Sequence, residues 1–290
     1  MQLFRKFFVI IIFIIFFASG FGVYVWIEES QYNNLEFIVL DVGQGDAILI
    51  KTPYKQNVLI DGGPDKSVVS GIDRHLPFWR RKIDLMILTH PDADHVTGLV
   101  EVLRRYPVSR VMGTGVAHTL PAYIEWLKII NDEEISMDIV QAPMRIELGK
   151  DLWMDILWPI DNFAGINVDD NNETSIIAKL VYGDISFLLT GDATVEVEKE
   201  MLNADIDLIS DVLKIGHHGS KGSTSLEFVE AVKPEFAVIS VGVDNRFGHP
   251  TRRVLKNLED VGVIVLRTDE SGDIKISSDG KSIYLLNESQ

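Results

Sequence analysis

Cysteine is absent from the 290 residues, so no disulfide, thiolate zinc site, iron–sulfur cluster or thiol nucleophile can be built from this chain. Any transition metal must be held by imidazole and carboxylate. Basic charge is also scarce: 27 Lys and Arg stand against 43 Asp and Glu, a net −16, which argues against non-specific adhesion to nucleic acid or anionic lipid. An acidic excess also arises where carboxylates gather around a cation. There is no internal repeat and no long Pro/Ser linker. With 46% apolar residues the chain can fill a core, which excludes disorder as its main state.

Charge is missing altogether from residues 7–27, and as a helix this run would be about 31 Å long, enough to cross a bilayer. Arg5 and Lys6 precede it and Glu28 and Glu29 follow, so the positive-inside bias predicts a cytoplasmic N-terminus with the bulk of the chain outside. A cleaved signal peptide is the competing expectation, since Ala18, Ser19 and Gly20 are small residues of the kind a peptidase needs. Retention is favoured because the run exceeds a usual signal core and continues through Phe21, Tyr24 and Trp26, aromatics suited to an interface. Residues 1–30 are therefore expected to be a single-pass cell-membrane anchor and residues 31–290 one extracytoplasmic domain. Setting Arg5 and Lys6 aside leaves the rest of the chain, Glu28 and Glu29 included, at −18.

From Glu36 onward short β-runs alternate with helical periodicity. The strands are read in "LEFIVLDV", "DAILIKT", "NVLIDG", "IDLMILTH", "RVMGT", "MDIVQ", "MRIEL", "LWMDILWP", "SIIAKLVYG", "ISFLLTGD", "DVLKIG", "FAVISVG", "VIVLRTD", "DIKISS" and "SIYLLN". The spacing predicts helices over residues 94–105, 121–131, 195–202, 225–232 and 251–261. Hairpins at both ends with helices between them predict an α/β fold of two mixed sheets sandwiched by helices.

Polar clusters sit where several strands end. In "ILTHPDADHVTG" an apolar strand runs directly into His90, Asp92, Asp94 and His95, four candidate ligands within six residues. Imidazole and carboxylate hold zinc or manganese when thiols are absent, and a loop at a strand end can turn alternate side chains toward one point. Helix capping by Asp92 or Asp94 is the bland alternative, but it accounts for one acid and neither histidine. Asp192 follows the strand in "SFLLTGDA", where alone it would read as a turn residue. His217 and His218 end the strand in "VLKIGHHGS", flanked by glycines that let the backbone approach closely, and His249 lies in "SVGVDNRFGHP". His75 and His118, outside these segments, are read as structural or surface residues. "GQGD" lacks the Lys and the helix of a phosphate-cradling loop, so nucleotide binding is rejected there, while Asp61 in "VLIDGG" is placed to orient a metal-bound histidine.

Together "LDVGQGDAILI", "VLIDGG", "LTHPDADHVTGL", "NNETSII", "LLTGDA", "LKIGHHGS" and "SVGVDNRFGHP" resemble the metallo-β-lactamase fold superfamily over residues 36–286. Within it they are most similar to the hydrolase-like domain at the C-terminal end of ComEC/Rec2 competence proteins. The resemblance implies an αββα sandwich with its site at strand ends along one edge. It departs from the superfamily at two points. The usual His-x-His-x-Asp-His is here His90-x-Asp92-x-Asp94-His95, and Asn171 and Asn172 stand where a histidine is expected before "SIIAKLVYG".

By that resemblance, two divalent ions, zinc or manganese, are expected. One is assigned to His90, Asp92 and a histidine of the pair His217/His218, the other to Asp94, His95 and His249 as ligand or proton donor, with Asp192 bridging. Asn172, Lys214 and Ser220 face substrate or brace the ligands. The implied function is a membrane-anchored, metal-dependent phosphodiesterase acting on nucleic acid such as single-stranded DNA. Asp94 orients the attacking water, and His218 or His249 protonates the leaving oxygen. A polyanion would be repelled by the net charge unless Lys214, Lys221, Arg246, Arg252 and Arg253 ring the cleft. With one span only, the chain is not itself a channel, so a separate membrane channel protein is an expected partner. A small-molecule phosphoesterase or a lactone or lactam hydrolase is the alternative within enzymes. A non-catalytic, membrane-anchored binding module is the alternative outside them, motivated by the missing histidine.

Overall fold

Most of the apolar strand segments are buried on both faces, because alternate side chains enter two different cores. In β1 (Leu35–Val39) Phe37 and Val39 point into one cluster while Ile38 points into another; β2 (Ile48–Lys51), β3 (Asn57–Ile60) and β4 (Leu85–Leu88) repeat the division. Strands of this kind need cover on both sides. The computed structural model describes residues 2–30, 33–204 and 206–286 and, within the first helix, only the side chains of residues 6, 7 and 10–23.

Four more strands follow β4: β5 (Arg110–Gly113), β6 (Ser136–Ile139), β7 (Met144–Gly149) and β8 (Leu152–Trp158). The remainder are β9 (Ile177–Tyr182), β10 (Ile185–Leu189), β11 (Val212–Lys214), β12 (Phe236–Ile239), β13 (Ile264–Arg267), β14 (Ile274–Ser278) and β15 (Ile283–Leu286). One sheet has the order β15-β14-β1-β2-β3-β4-β5-β6 and the other β13-β12-β11-β10-β9-β8-β7. Both are mixed: β3 to β6 and β10 to β13 run parallel, while the hairpin strands pair antiparallel. Each of the fifteen sequence segments read as strands overlaps one of these strands, and thirteen contain theirs whole.

The sheets face one another across a core in which the rings of Phe37 and Phe187 stack at 4.9 Å and 27°. Helices cover the outer faces. On the first sheet α2 (Ser67–His75), α3 (Ala93–Leu103) and α4 (Pro121–Asp132) bury Ile72, Leu99 and Trp126. On the second, α5 (Val195–Asn203), α6 (Leu226–Val232) and α7 (Arg252–Val261) bury Met201, Phe228 and Leu258. A short α8 (Thr268–Ser271) follows β13. The expected αββα layering is thus present. Helix α2 escaped sequence reading because Gly71 interrupts its apolar stripe; a Cβ there would come within 2.9 Å of Leu40, so helix and sheet meet at that glycine.

Ahead of the sheets, α1 (Gln2–Ser30) is one 29-residue helix. Among the described residues no helix is long and apolar enough to cross a membrane. The span expected over residues 7–27 falls partly outside the described side chains, which leaves that element of the sequence reading without structural support.

Truncating Phe187, 1% exposed and stacked in the inter-sheet core, is expected to cost about 3–5 kcal/mol as Phe187→Ala. Ile209→Ala, at a side chain 58% exposed, should stay within about 0.5 kcal/mol. Denaturant unfolding of both variants against the unaltered chain checks the contrast.

Candidate metal centre

Parallel strands end at the same edge, and here both sheets deliver such ends to one place. β3 leads into Asp61 and β4 into Thr89 and His90, with Ile60 beside Ile87 in register. In the facing sheet β10 leads to Asp192, β11 to His217 and His218, and β12 to Ser240, with Leu189 beside Lys214 and Lys214 beside Val238. Helix α3 starts on this edge and contributes Asp94 and His95 from its first turn.

The donors converge. His90, His95 and Asp192 each place one ligand atom within 4.8 Å of the others, and so do Asp94, His95 and His218. His95 Nε2 lies 3.5 Å from Asp192 Oδ1, His218 Nε2 lies 3.5 Å from Asp94 Oδ2 and 3.7 Å from Asp192 Oδ2, and His90 Nε2 lies 3.7 Å from Asp92 Oδ2. Asp192 therefore stands between the two groups with one oxygen toward each.

Each imidazole is held from behind. His95 Nδ1 is 2.8 Å from Asp61 Oδ2, His218 Nδ1 is 3.0 Å from the Ser240 carbonyl, and His90 Nδ1 is 3.0 Å from Thr89 Oγ1. Thr89 in turn donates its hydroxyl and its backbone N–H to Asp61, at 2.7 and 2.8 Å. With Nδ1 engaged, the inward Nε2 atoms of His90, His95 and His218, together with Asp192 Oδ1, are buried and have no hydrogen-bond partner. An orphaned buried polar atom costs about 1–3 kcal/mol, and imidazoles braced through Nδ1 with Nε2 free are how histidines present themselves to a metal. The donor set of imidazoles and carboxylates without thiol fits zinc or manganese.

The backbone is strained at the same points. Asp61 (φ 57°), His217 (φ 47°) and His218 (φ 54°) are non-glycine residues in the left-handed region, each costing about 1–3 kcal/mol. The His217–His218 turn is tied down by Ser223 Oγ donating to the Gly216 carbonyl and Ser220 N–H donating to the His217 carbonyl. Ser220 Oγ accepts from Gly222 N–H, so Ser220 braces this loop. Across the edge Gly45 is obligatory, because a Cβ would sit 2.3 Å from the Asp94 carbonyl oxygen.

Charges compensate closely. Burial opposes a proton on His95, but Asp192 and Asp61 outweigh it and hold the ring well above its ordinary value. His218 is raised to about 10: burial opposes, and Asp192, Asp46 and Asp94 prevail. Burial lowers His90, helped by neighbouring His95, and lowers His249, helped by His217 and His218. Burial pushes Asp192 up, yet His218 and His95 hold it well below the usual carboxylate range.

The residues singled out in the sequence separate into three sets. His90, Asp94, His95, Asp192 and His218 form the convergent core, with Asp61 behind His95 and Asp92 at its side. Asp92 occupies the N-cap position of α3 without capping it; its carboxylate accepts from Asn171 Nδ2 at 2.7 Å instead. His217, a third exposed, and His249, half-buried, form an open rim, with ring centres 5.9 Å apart and His217 Nε2 3.7 Å from Asp192 Oδ2. Neither His217 nor His249 belongs to the convergent groups. Asn172 turns no hydrogen bond toward the centre, and its Oδ1 is buried without a partner.

Lys214, expected either on the cleft rim toward substrate or behind the ligands, is 1% exposed, its Nζ 2.8 Å from Asp46 Oδ2, because β11 is buried on both faces and carries it inward. Lys221, Arg246, Arg252 and Arg253 remain exposed. Sequence reading missed Asp46, Thr89 and Ser240 as parts of the centre, and noted Asn171 only as standing where a histidine is expected; for Asp46 the acid in the tight "GQGD" turn offered a signal. His75 pairs with Asp273 at 2.8 Å and His118 accepts from Leu120 N–H, both apart from the centre.

Comparison with known proteins agrees with this arrangement. Residues 40–243 match the family described as the Metallo-beta-lactamase superfamily. The chain is 33% identical to ComE operon protein 3 of Bacillus subtilis (strain 168) over 257 residues, 83% of this chain and 32% of that protein. It is 30% identical to Competence protein ComA of Neisseria gonorrhoeae over 250 residues, covering 86% and 33% of the two chains. It thus spans about a third of the length of these relatives. Among solved structures, the metallo-beta-lactamase fold protein YhfI from Bacillus subtilis superposes with a TM-score of 0.56 at 11% identity, over 84% of this chain and 100% of that one.

The raised His218 gives a pH test. Its folded value of about 10 exceeds the ordinary 6.5, so its contribution to stability is complete below 6.5 and is lost as pH rises toward 10. The melting temperature of the metal-free chain is expected to fall across that window, and zinc or manganese should remove the decline by replacing the imidazolium charge. Identical pH profiles with and without metal would count against the centre.

Proposed function

The chain belongs to the metallo-beta-lactamase superfamily and is related to competence proteins, and from that premise we propose that it is a metal-dependent hydrolase of phosphodiester bonds, with nucleic acid as their source. The observation that carries this reading is the set of three buried, inward-facing Nε2 atoms around Asp192, each braced through Nδ1 and none with a partner. His90, Asp92 and Asp192 would hold one divalent ion, and Asp94, His95, His218 and Asp192 a second. Such ions supply activation of water near neutral pH and neutralisation of phosphoryl charge.

The chain's own residues do the rest. Asp94, 37% exposed at its side chain and contributed by the first turn of α3, orients the incoming water. His217 and His249 stand on the rim where a leaving oxygen would depart, placed to hand it a proton. Water oxygen bonds to phosphorus as the bond from phosphorus to the ester oxygen breaks; the water's proton passes to the Asp94 carboxylate, a protonated rim histidine gives its proton to the leaving oxygen, and solvent carries the proton from Asp94 back to the histidine.

Beyond His249 the rim continues as a recess of about 370 Å³ lined in part by Gln44, Arg246 and Phe247. Phe247 is 68% exposed and lies 25° from parallel with the His249 ring, at 5.7 Å. An exposed aromatic beside an exposed Arg suits a base and a phosphate of a single strand. This local chemistry supports a nucleic acid despite the acidic total, as does a relative named for competence.

The same reading includes anchoring by α1. Its support is the charge-free run of residues 7–27 and the exposure of its large side chains, such as Phe13, Ile14, Phe16 and Phe17. The flanking charges favour a C-terminal part outside the cytoplasmic membrane, where a separate channel protein would be a natural partner.

The full chain in detergent, loaded with manganese or zinc, should cleave single-stranded DNA and methyl p-nitrophenyl phosphate, and His90→Ala should abolish both. Phe247→Ala should weaken single-stranded DNA binding about 5- to 150-fold, the worth of one base stack, with kcat on the small diester unchanged. No cleavage of either substrate by the loaded chain overturns the proposal.

A further inference from the structure

Lys214 is fully buried at the end of β11, its ammonium donating to Asp46 Oδ2 at 2.8 Å and to the Ile215 carbonyl at 2.9 Å. Its partner comes from the β1–β2 turn, 168 residues away in sequence and in the opposite sheet's half of the edge. The other oxygen of Asp46 lies 3.4 Å from His218 Nδ1, the same nitrogen that faces the Ser240 carbonyl. Ser240 Oγ closes the ring by donating to the Gly45 carbonyl, beside Asp46. Three strand ends are thus clamped behind one imidazole.

Asp46 is also close enough to be a ligand itself. It places an oxygen within 4.8 Å of ligand atoms of Asp192 and His218, and equally of Asp61 and His95. A carboxylate so placed, without a cation of its own, would turn toward a divalent ion and pull away from His218. The ammonium of Lys214 is the cation that keeps it in place. Resting on the reading of a divalent metal centre, we propose that Lys214 is a positioning residue: it holds Asp46 behind His218, so that His218 Nε2 stays aimed at Asp94 and Asp192 and Asp46 stays out of the coordination. Partners behind a metal-bound histidine are typically worth 10–100-fold in metal affinity.

Lys214→Met alone leaves a buried carboxylate unpaired and threatens folding, so the deciding variant is Lys214→Met with Asp46→Asn, which removes both charges and keeps the net charge of the centre. Cobalt(II) titration of the full chain, followed by visible absorption and by metal content after dialysis, reads each equivalent. In the double variant one equivalent should bind about 10- to 100-fold more weakly while the other is unchanged. In a folded Lys214→Met chain the cobalt spectrum should change as Asp46 turns onto the ion. Lys179→Met, at a buried lysine paired with Asp207, should alter neither. A cooperatively melting double variant with both affinities and the spectrum of the unaltered chain overturns the role of Lys214. Failure of the unaltered chain to take up cobalt overturns the metal reading beneath it.

Discussion

Mutual compensation of charge at the shared edge of two sheets is the interaction on which the rest of this structure depends. Asp46, Asp61 and Asp192 are almost wholly excluded from solvent, as are His90, His95, His218 and Lys214. Isolated, each buried charge would cost several kcal/mol, and none would be tolerated. Together they form one network in which every carboxylate faces a cation or a donor. The inward Nε2 atoms of His90, His95 and His218, with Asp192 Oδ1 and Asp46 Oδ1, lack a hydrogen-bond partner, and they belong to the convergent donor groups. A buried network complete except at one point is the signature of a site shaped for something else to finish it.

The fold explains how such a network can exist. Parallel strands deliver their carboxyl ends to one edge, so two facing sheets with parallel segments bring two sets of loops together. The stacked Phe37 and Phe187 and the apolar side chains around them fix the distance between the sheets. Asp61, His217 and His218 are held in left-handed backbone because the loops have no room to relax. Packing thereby supports strain that the site itself cannot, and the absence of cysteine leaves imidazole and carboxylate as the donors that can use it.

Much of this was legible in the chain itself. Strands buried on both faces, such as β1 to β4, announce themselves as apolar runs, and each of the fifteen segments read as strands overlaps one. His90, Asp92, Asp94 and His95 stood out because four donors directly after a buried strand have no packing explanation. The His217–His218 pair was visible for the same reason, whereas Asp192 alone reads as a turn residue and took its role from the resemblance. Helix α2 was not legible, since its glycine is demanded by contact with Leu40 rather than by any local pattern. Nor was the burial of Lys214: a lysine in a strand reads as surface, and only the opposite sheet reveals the Asp46 that lets it be buried.

What the sequence determined by itself is therefore the local grammar: which segments are strands, which carry donors at their ends, and which residue types those donors are. Tertiary structure alone decided the division of labour among them. It placed His218 inside the centre and His217 on the rim, although the two are adjacent in the chain. It set Asp92 against Asn171 instead of the helix it begins, and it turned Asp46 from a turn residue into a support for an imidazole far along the chain. The physical reason is that periodicity and spacing encode a residue's own environment, while orientation and charge compensation depend on partners brought close only when the two sheets pack.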